Sequence, residues 1–162
     1  MCLLMKMSSK KVIVALDSSN LEKILKLVKI LQKDVYAFKI GYQFFFTHGL
    51  SGYKKIYSIC PKIFLDLKLH DIPNTVKNGL EALQKIRPLL TTIHISGGDD
   101  MMNAYKNKKG ITKILGVSIL TSMDNKQTKK FYNNNTSDLV KKFAKFAKKN
   151  GLDGVVCSPK EI

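Results

Sequence analysis

Six short apolar runs, each followed by a stretch of different character, constrain the fold of this chain more than any other feature. They are Val12–Leu16, Val35–Ile40, Ile63–Leu69, Thr91–Ser96, Lys113–Leu120 and Leu152–Cys157. Runs of this length read as strands. The intervening segments carry helical spacing. Leu21, Ile24, Leu25, Val28 and Leu31 form one stripe behind Ser19 and Glu22, which fit a capping box. A turn at Gly49–Gly52 precedes a helix over Tyr53–Ile59. Val76, Leu80 and Leu83 form a second stripe that stops before Pro88. A short helix is expected over Asp99–Asn107, and the Asn-rich segment Lys126–Thr136 reads as a mobile loop or a weak helix. Leu139, Val140, Phe143, Phe146 and Ala147 form the last stripe, capped by Thr136 or Ser137 and closed by Gly151. Strand–helix alternation predicts an α/β fold with a parallel sheet. An open doubly wound sheet and a (β/α)8 barrel both fit.

The third run carries the chemistry. Side chains on a strand alternate faces. Ile63, Leu65, Leu67 and Leu69 are expected on one apolar face, and Phe64, Asp66, Lys68 and His70 on the other. Pro73 suits the first turn of a helix, where its missing N–H costs nothing. Asp66, Lys68 and Asp71 therefore gather where a strand hands over to a loop, the end of the strand at which α/β proteins build sites. Alternation alone would equally describe an edge strand of an antiparallel sheet, wet on its charged side. The helical segments on both sides favour the parallel arrangement. Asp71 also falls past the strand end, where a surface strand would need only a turn.

Composition narrows the possibilities. A length of 162 residues suggests one domain, here residues 11–162, behind an N-terminal extension 1–10 expected to be disordered. No apolar run approaches the roughly 18 residues that span a membrane. The net charge of +16 raises nucleic-acid binding. Of the 28 basic residues, however, only Arg87 is arginine. Readers of bases and phosphates favour arginine for its bidentate fork. The lysines (Lys23, Lys26, Lys29; Lys141, Lys142, Lys145, Lys148, Lys149) read as solvated helix faces, so no specific nucleic-acid partner is expected. Cys2, Cys60 and Cys157 form no CxxC pair, and His48, His70 and His94 have no metal-ligand spacing. Reduced thiols in a cytoplasmic protein without a metal site are expected. Gly97-Gly98 is not a dinucleotide fingerprint.

Polar groups recur at the strand ends: Asp17, Lys39, Asp66, Lys68, Asp71, Ser96, Thr121 and Ser122. If the first three strands are neighbours, an alternating array of ammonium and carboxylate groups results. A fixed ammonium stabilises a developing carbanion and then protonates it. A fixed carboxylate is badly matched to an anionic substrate group and better matched once that group leaves. Such an array suits decarboxylation without a cofactor.

These residues also carry a resemblance. Val12-Ile13-Val14-Ala15-Leu16-Asp17, Phe38-Lys39-Ile40-Gly41, Asp66-Leu67-Lys68-Leu69-His70-Asp71-Ile72-Pro73-Asn74-Thr75, His94-Ile95-Ser96-Gly97-Gly98 and Leu120-Thr121-Ser122-Met123 resemble the orotidine 5′-phosphate decarboxylase family. The segments occur in that family's order and cover nearly the whole chain. The Asp-x-Lys-x-x-Asp element is shared with related sugar-phosphate decarboxylases and synthases; its continuation into Ile-Pro-Asn-Thr makes the match specific. The resemblance implies a (β/α)8 barrel that converts orotidine 5′-phosphate to UMP in pyrimidine biosynthesis. It implies Lys68 as proton donor, with Asp66 against the substrate carboxylate. Asp17 and Lys39 would hold the ribose hydroxyls, and Thr121 would contact the nucleotide. Asp71 and Thr75 would reach into a neighbouring subunit's site, which implies a homodimer.

Six strands are counted where the resemblance implies eight. The resemblance also implies a phosphate-gripping loop and arginine after the last two strands, which this sequence does not supply. The expectation is therefore a C-terminally truncated, incomplete barrel with impaired or lost activity. Two other readings stand beside it. One is a related enzyme acting on a ketose phosphate through a metal enediolate. It would need an acidic ligand at the fourth strand, where this chain has His94 and Ser96. The other is a non-catalytic remnant that binds polyanions through its lysines.

Overall fold

Each of the first five strands is followed by a helix before the next strand begins, and every observed strand pairing is parallel. The structure is a computed structural model that describes residues 11–104 and 110–161, Lys160 by its backbone alone. The expected disorder of residues 1–10 and the last part of the expected Asp99–Asn107 helix lie outside the described residues. Strand order follows chain order, β1-β2-β3-β4-β5-β6. This decides between the two architectures. A doubly wound sheet reverses its strand order at a switch point, whereas a βα barrel winds on in one direction. The fold is the parallel βα barrel class with six strands described.

The chain divides into two compact units, Met1–Asp66 and Leu67–Ile162, and the boundary falls inside β3. The first unit holds β1 (Ile13–Ala15), α1 (Leu21–Leu31), β2 (Ala37–Ile40), α2 (Tyr42–Ile59) and the first four residues of β3 (Ile63–Leu69). Ile13 pairs with Ala37, and Lys39 with Phe64. Ala37, Phe38 and Ile40 on β2 are fully buried, with Val28 from α1 and Phe44 and Ile56 from α2.

Two local expectations are corrected here. The cap of α1 is Asn20, not the Ser19/Glu22 box: Asn20 Oδ1 accepts the Lys23 N–H at 2.9 Å, and Ser18 Oγ accepts the Asn20 N–H at 3.1 Å. Asn and Ser are equally good caps, so the sequence did not distinguish neighbouring positions. The aromatic segment from Tyr42 is helical as well, so α2 begins before the expected turn and is broken only at Gly49 (φ 54°, ψ −152°). That conformation costs glycine little and other residues more, which is why the interruption falls there.

The second unit holds the end of β3, α3 (Pro73–Ile86), β4 (Leu90–His94), a 3-10 turn (Ile95–Gly97) and α4 (Gly98–Asn103). It continues with β5 (Lys113–Val117), α5 (Asn125–Tyr132), α6 (Thr136–Lys149), β6 (Gly154–Val156) and a 3-10 turn at Pro159–Glu161. Leu90 pairs with Lys113, His94 with Val117, and Val117 in turn with Val156. Beyond the β6 ladder, Asp153 closes two bonds to Ile114: its carboxylate accepts the Ile114 N–H at 2.8 Å and its N–H donates to the Ile114 carbonyl at 2.9 Å.

The Asn-rich segment proves to be structured, and its asparagines are the reason. Asp124 caps α5 by accepting the Gln127 N–H at 2.8 Å, and Asn133 ends the helix in the left-handed region at φ 51°. Asn135, rather than Thr136 or Ser137, caps α6 by accepting the Asp138 N–H at 2.9 Å. Asparagine tolerates left-handed backbone and accepts at helix starts, so one short run ends one helix and begins the next. At the other end of α6, Gly151 (φ 73°) allows a reversal. Its N–H reaches the Lys148 carbonyl and the Leu152 N–H reaches the Ala147 carbonyl, the paired bonds of a Schellman stop.

Candidate active site

Three of the expected site residues meet in the first unit. Asp17 follows β1, Lys39 lies on β2, and Asp66 is the last residue of β3 in this unit. Lys39 Nζ lies 3.7 Å from Asp17 Oδ2 and 3.9 Å from Asp66 Oδ2. One ammonium thus serves two carboxylates of unequal exposure. The Asp17 side chain is 52% exposed and that of Asp66 10%. An ion pair as open as Lys39–Asp17 contributes about 0–1 kcal/mol, which leaves that carboxylate available to a ligand. The Asp66 charge is largely withdrawn from water and depends on its protein partners. Gly41, at the start of α2, keeps the approach open: a Cβ there would lie 3.3 Å from Asp17 Oδ1 and 3.5 Å from Lys39 Nζ.

Lys68 lies two residues beyond Asp66 on the same strand, in the second unit. Its backbone is not extended. With φ at 46° it occupies the left-handed region, in which a residue bearing a Cβ is disfavoured by about 1–2 kcal/mol. The expected alternation from Ile63 to His70 therefore breaks at the one basic residue of the strand. Ile63 and Leu65 are fully buried as expected, but Leu67 and Leu69 are only half-buried, so the predicted continuous apolar face is not realised. The Lys68 N–H donates to Thr92 Oγ1 at 2.9 Å. Thr92, on β4, is fully buried. No periodicity pointed to Thr92, because a threonine in a strand is ordinary. The anomaly that reveals it is a backbone angle.

The remaining expected residues are placed near strand ends of the second unit. Asp71 is exposed, and its Oδ1 accepts the Ile72 N–H at 2.7 Å. Pro73 opens α3 as expected, and Thr75 is exposed in the first turn of that helix. Thr121 and Ser122 are exposed in the turn after β5 that the Met123 N–H closes on the Leu120 carbonyl at 2.9 Å. Ser96 is exposed in the turn after β4. His70 and His94 bring their rings to 5.0 Å at 34°. Among the described residues no three His, Cys, Asp or Glu side chains group as metal ligands, and no helix is long and apolar enough to cross a membrane.

Comparison with known proteins adds the following. Residues 10–162 match the family described as orotidine 5′-phosphate decarboxylase / HUMPS family. The orotidine 5′-phosphate decarboxylase of Ligilactobacillus salivarius is 43% identical over 159 residues, which is 92% of this chain and 67% of that protein. That of Ehrlichia chaffeensis is 41% identical over 155 residues, covering 94% and 67%. The crystal structure of the Lactobacillus acidophilus orotidine 5′-phosphate decarboxylase superposes with a TM-score of 0.82 at 38% identity, over 94% of this chain and 73% of that one.

Proposed function

Because the chain belongs to the orotidine 5′-phosphate decarboxylase / HUMPS family, we propose that its chemistry is the cofactor-free decarboxylation of orotidine 5′-phosphate to UMP. The observation that carries this reading is the ammonium of Lys39 held between the carboxylates of Asp17 and Asp66. Asp17 and Lys39 offer an acceptor and a donor to the ribose hydroxyls. Asp66, buried beside the Lys39 ammonium, faces the substrate carboxylate, and the mismatch disappears as carbon dioxide departs. The carbon–carbon bond breaks and its electron pair stays on the pyrimidine ring carbon. An N–H proton of the Lys68 ammonium then forms the new C–H bond, leaving a neutral amine that water reprotonates. Thr121 contacts the nucleotide.

Residues 11–162 are taken as the domain that carries this chemistry, in a cytoplasmic protein. Asp71 and Thr75 are exposed just past β3, which supports their assignment to a site shared with a second copy in a homodimer. The ketose-phosphate reading gains nothing from β4 and the turn after it, where the chain offers His94 and Ser96 and no carboxylate. The test is loss of orotidine 5′-phosphate absorbance with purified protein, run beside a hexulose phosphate with magnesium. Whatever turnover the chain shows is expected with the nucleotide and not with the hexulose phosphate. Turnover of the hexulose phosphate alone would overturn the assignment.

A further inference from the structure

The backbone at Lys68 cannot be explained by the strand it belongs to. An extended residue in a parallel sheet donates its N–H to a neighbouring carbonyl. Lys68, at φ 46°, turns its N–H out of that pattern, and the group is received by a side chain, Thr92 Oγ1, at 2.9 Å. Thr92 is fully buried on β4, in register with Leu115. Valine has the same shape and would bury without polar cost, so a buried hydroxyl at this position needs a partner to offset its desolvation. The Lys68 N–H is such a partner.

We propose that Thr92 is a positioning residue for the ammonium of Lys68: its hydroxyl holds the lysine backbone in the left-handed conformation that sets where the side chain leaves the strand. The proposal rests on Lys68 being the proton donor. A positive φ redirects the Cα–Cβ bond relative to a regular strand, so the backbone conformation that this bond supports bears on the direction of the four-carbon arm. Loss of the acceptor lets Lys68 relax towards extended backbone. A displacement of about 1 Å at a reacting group costs on the order of a hundredfold in rate. Beside this corner the His70 and His94 rings lie 5.0 Å apart, tilted by 34°.

The test compares Thr92→Val, which keeps the shape, with Thr92→Ser, which keeps the hydroxyl, and uses two readouts. Amide hydrogen exchange is followed by NMR on the full chain. In Thr92→Val the Lys68 amide is expected to exchange about tenfold faster, as loss of one hydrogen bond allows, while the other β4 amides keep their rates. Thr92→Ser is expected to leave Lys68 protected. For turnover of orotidine 5′-phosphate, Thr92→Val is expected to lower kcat roughly ten- to a hundredfold with KM changed less than about twofold, and Thr92→Ser to recover most of it. Should Thr92→Val fail to fold, Thr92→Ala is read in the same way. Unchanged Lys68 exchange without the hydroxyl overturns the proposal, as does a kcat loss that serine does not rescue. If the unaltered chain shows no turnover of the nucleotide, the kinetic arm bears on the functional reading and not on Thr92. The exchange comparison then decides by itself whether Thr92 holds Lys68.

Discussion

Asp66 Oδ2 lies 3.9 Å from Lys39 Nζ, and Asp66 is only 7% exposed. A carboxylate so far withdrawn from water is a liability if its cation is removed. Replacing Lys39 by methionine keeps the side-chain volume and deletes the charge. We expect Lys39→Met to destabilise the fold by about 1–3 kcal/mol, the range for a buried polar group that loses one of its partners. Asp66 has further contacts, which keep the loss towards the lower end. Adding Asp66→Asn should return part of it. Urea unfolding of the two single variants and the double variant measures this coupling. Strictly additive effects would show that the pair does not interact.

Lys68 joins a disfavoured backbone to a proposed chemical role, so stability and activity should respond oppositely. Lys68→Ala removes the proton donor and is expected to lower turnover by about 10²–10⁴-fold. Lys68→Gly removes the donor as well, and also the Cβ that makes φ 46° unfavourable. It should be more stable than Lys68→Ala by about 1 kcal/mol. Thermal unfolding of the two variants, beside the absorbance assay, separates these effects. Near-normal turnover in either variant would remove Lys68 from the mechanism.

Much of this was legible in the residues themselves. Short apolar runs located all six described strands. Asp17, Lys39 and Asp66 were found as polar groups at the ends of such runs, and they do meet around the ammonium of Lys39. Strand order was not legible, since strand–helix alternation is common to barrels and doubly wound sheets. It took the pairing of the strands to decide. The start of α2 was missed because Tyr42–His48 lacks a polar face that periodicity could detect. The Asn-rich stretch was undervalued because capping power is a property of single positions, not of composition. Thr92 was invisible because its role follows from the backbone angle of Lys68, on a different strand.

Asp71 is exposed past the end of β3, and its one described hydrogen bond is to the neighbouring Ile72 N–H. If it serves the site of a second copy, two inactive chains can repair one another. Lys68→Ala and Asp71→Ala proteins, each expected to be inactive, should regain up to about half of normal activity when paired as heterodimers, since one of the two shared sites is then intact. Co-expression with two affinity tags isolates the mixed species. Mixed dimers as inactive as their parents would argue for sites built within one chain.

Cys157 gives a prediction independent of the proposed chemistry. Its thiol is held above the ordinary range, first by burial and second by the carboxylate of Glu161. Both act in the same direction, because each disfavours the thiolate. The thiolate is the nucleophile, so at pH 8 Cys157 should react with iodoacetamide more slowly than a free thiol, and its rate should keep rising at higher pH. The two causes can be separated. Glu161 Oε2 also accepts the Ser158 N–H at 2.9 Å, a bond that a glutamine carbonyl can keep. Glu161→Gln therefore removes charge with little change of structure. It should speed alkylation modestly, by less than about threefold, because burial is the larger cause and remains. Peptide-resolved mass spectrometry distinguishes Cys157 from Cys60, which is 2% exposed and should react more slowly still. Alkylation of Cys157 at the rate of a free thiol, with no response to Glu161→Gln, would mean that neither burial nor the carboxylate controls it.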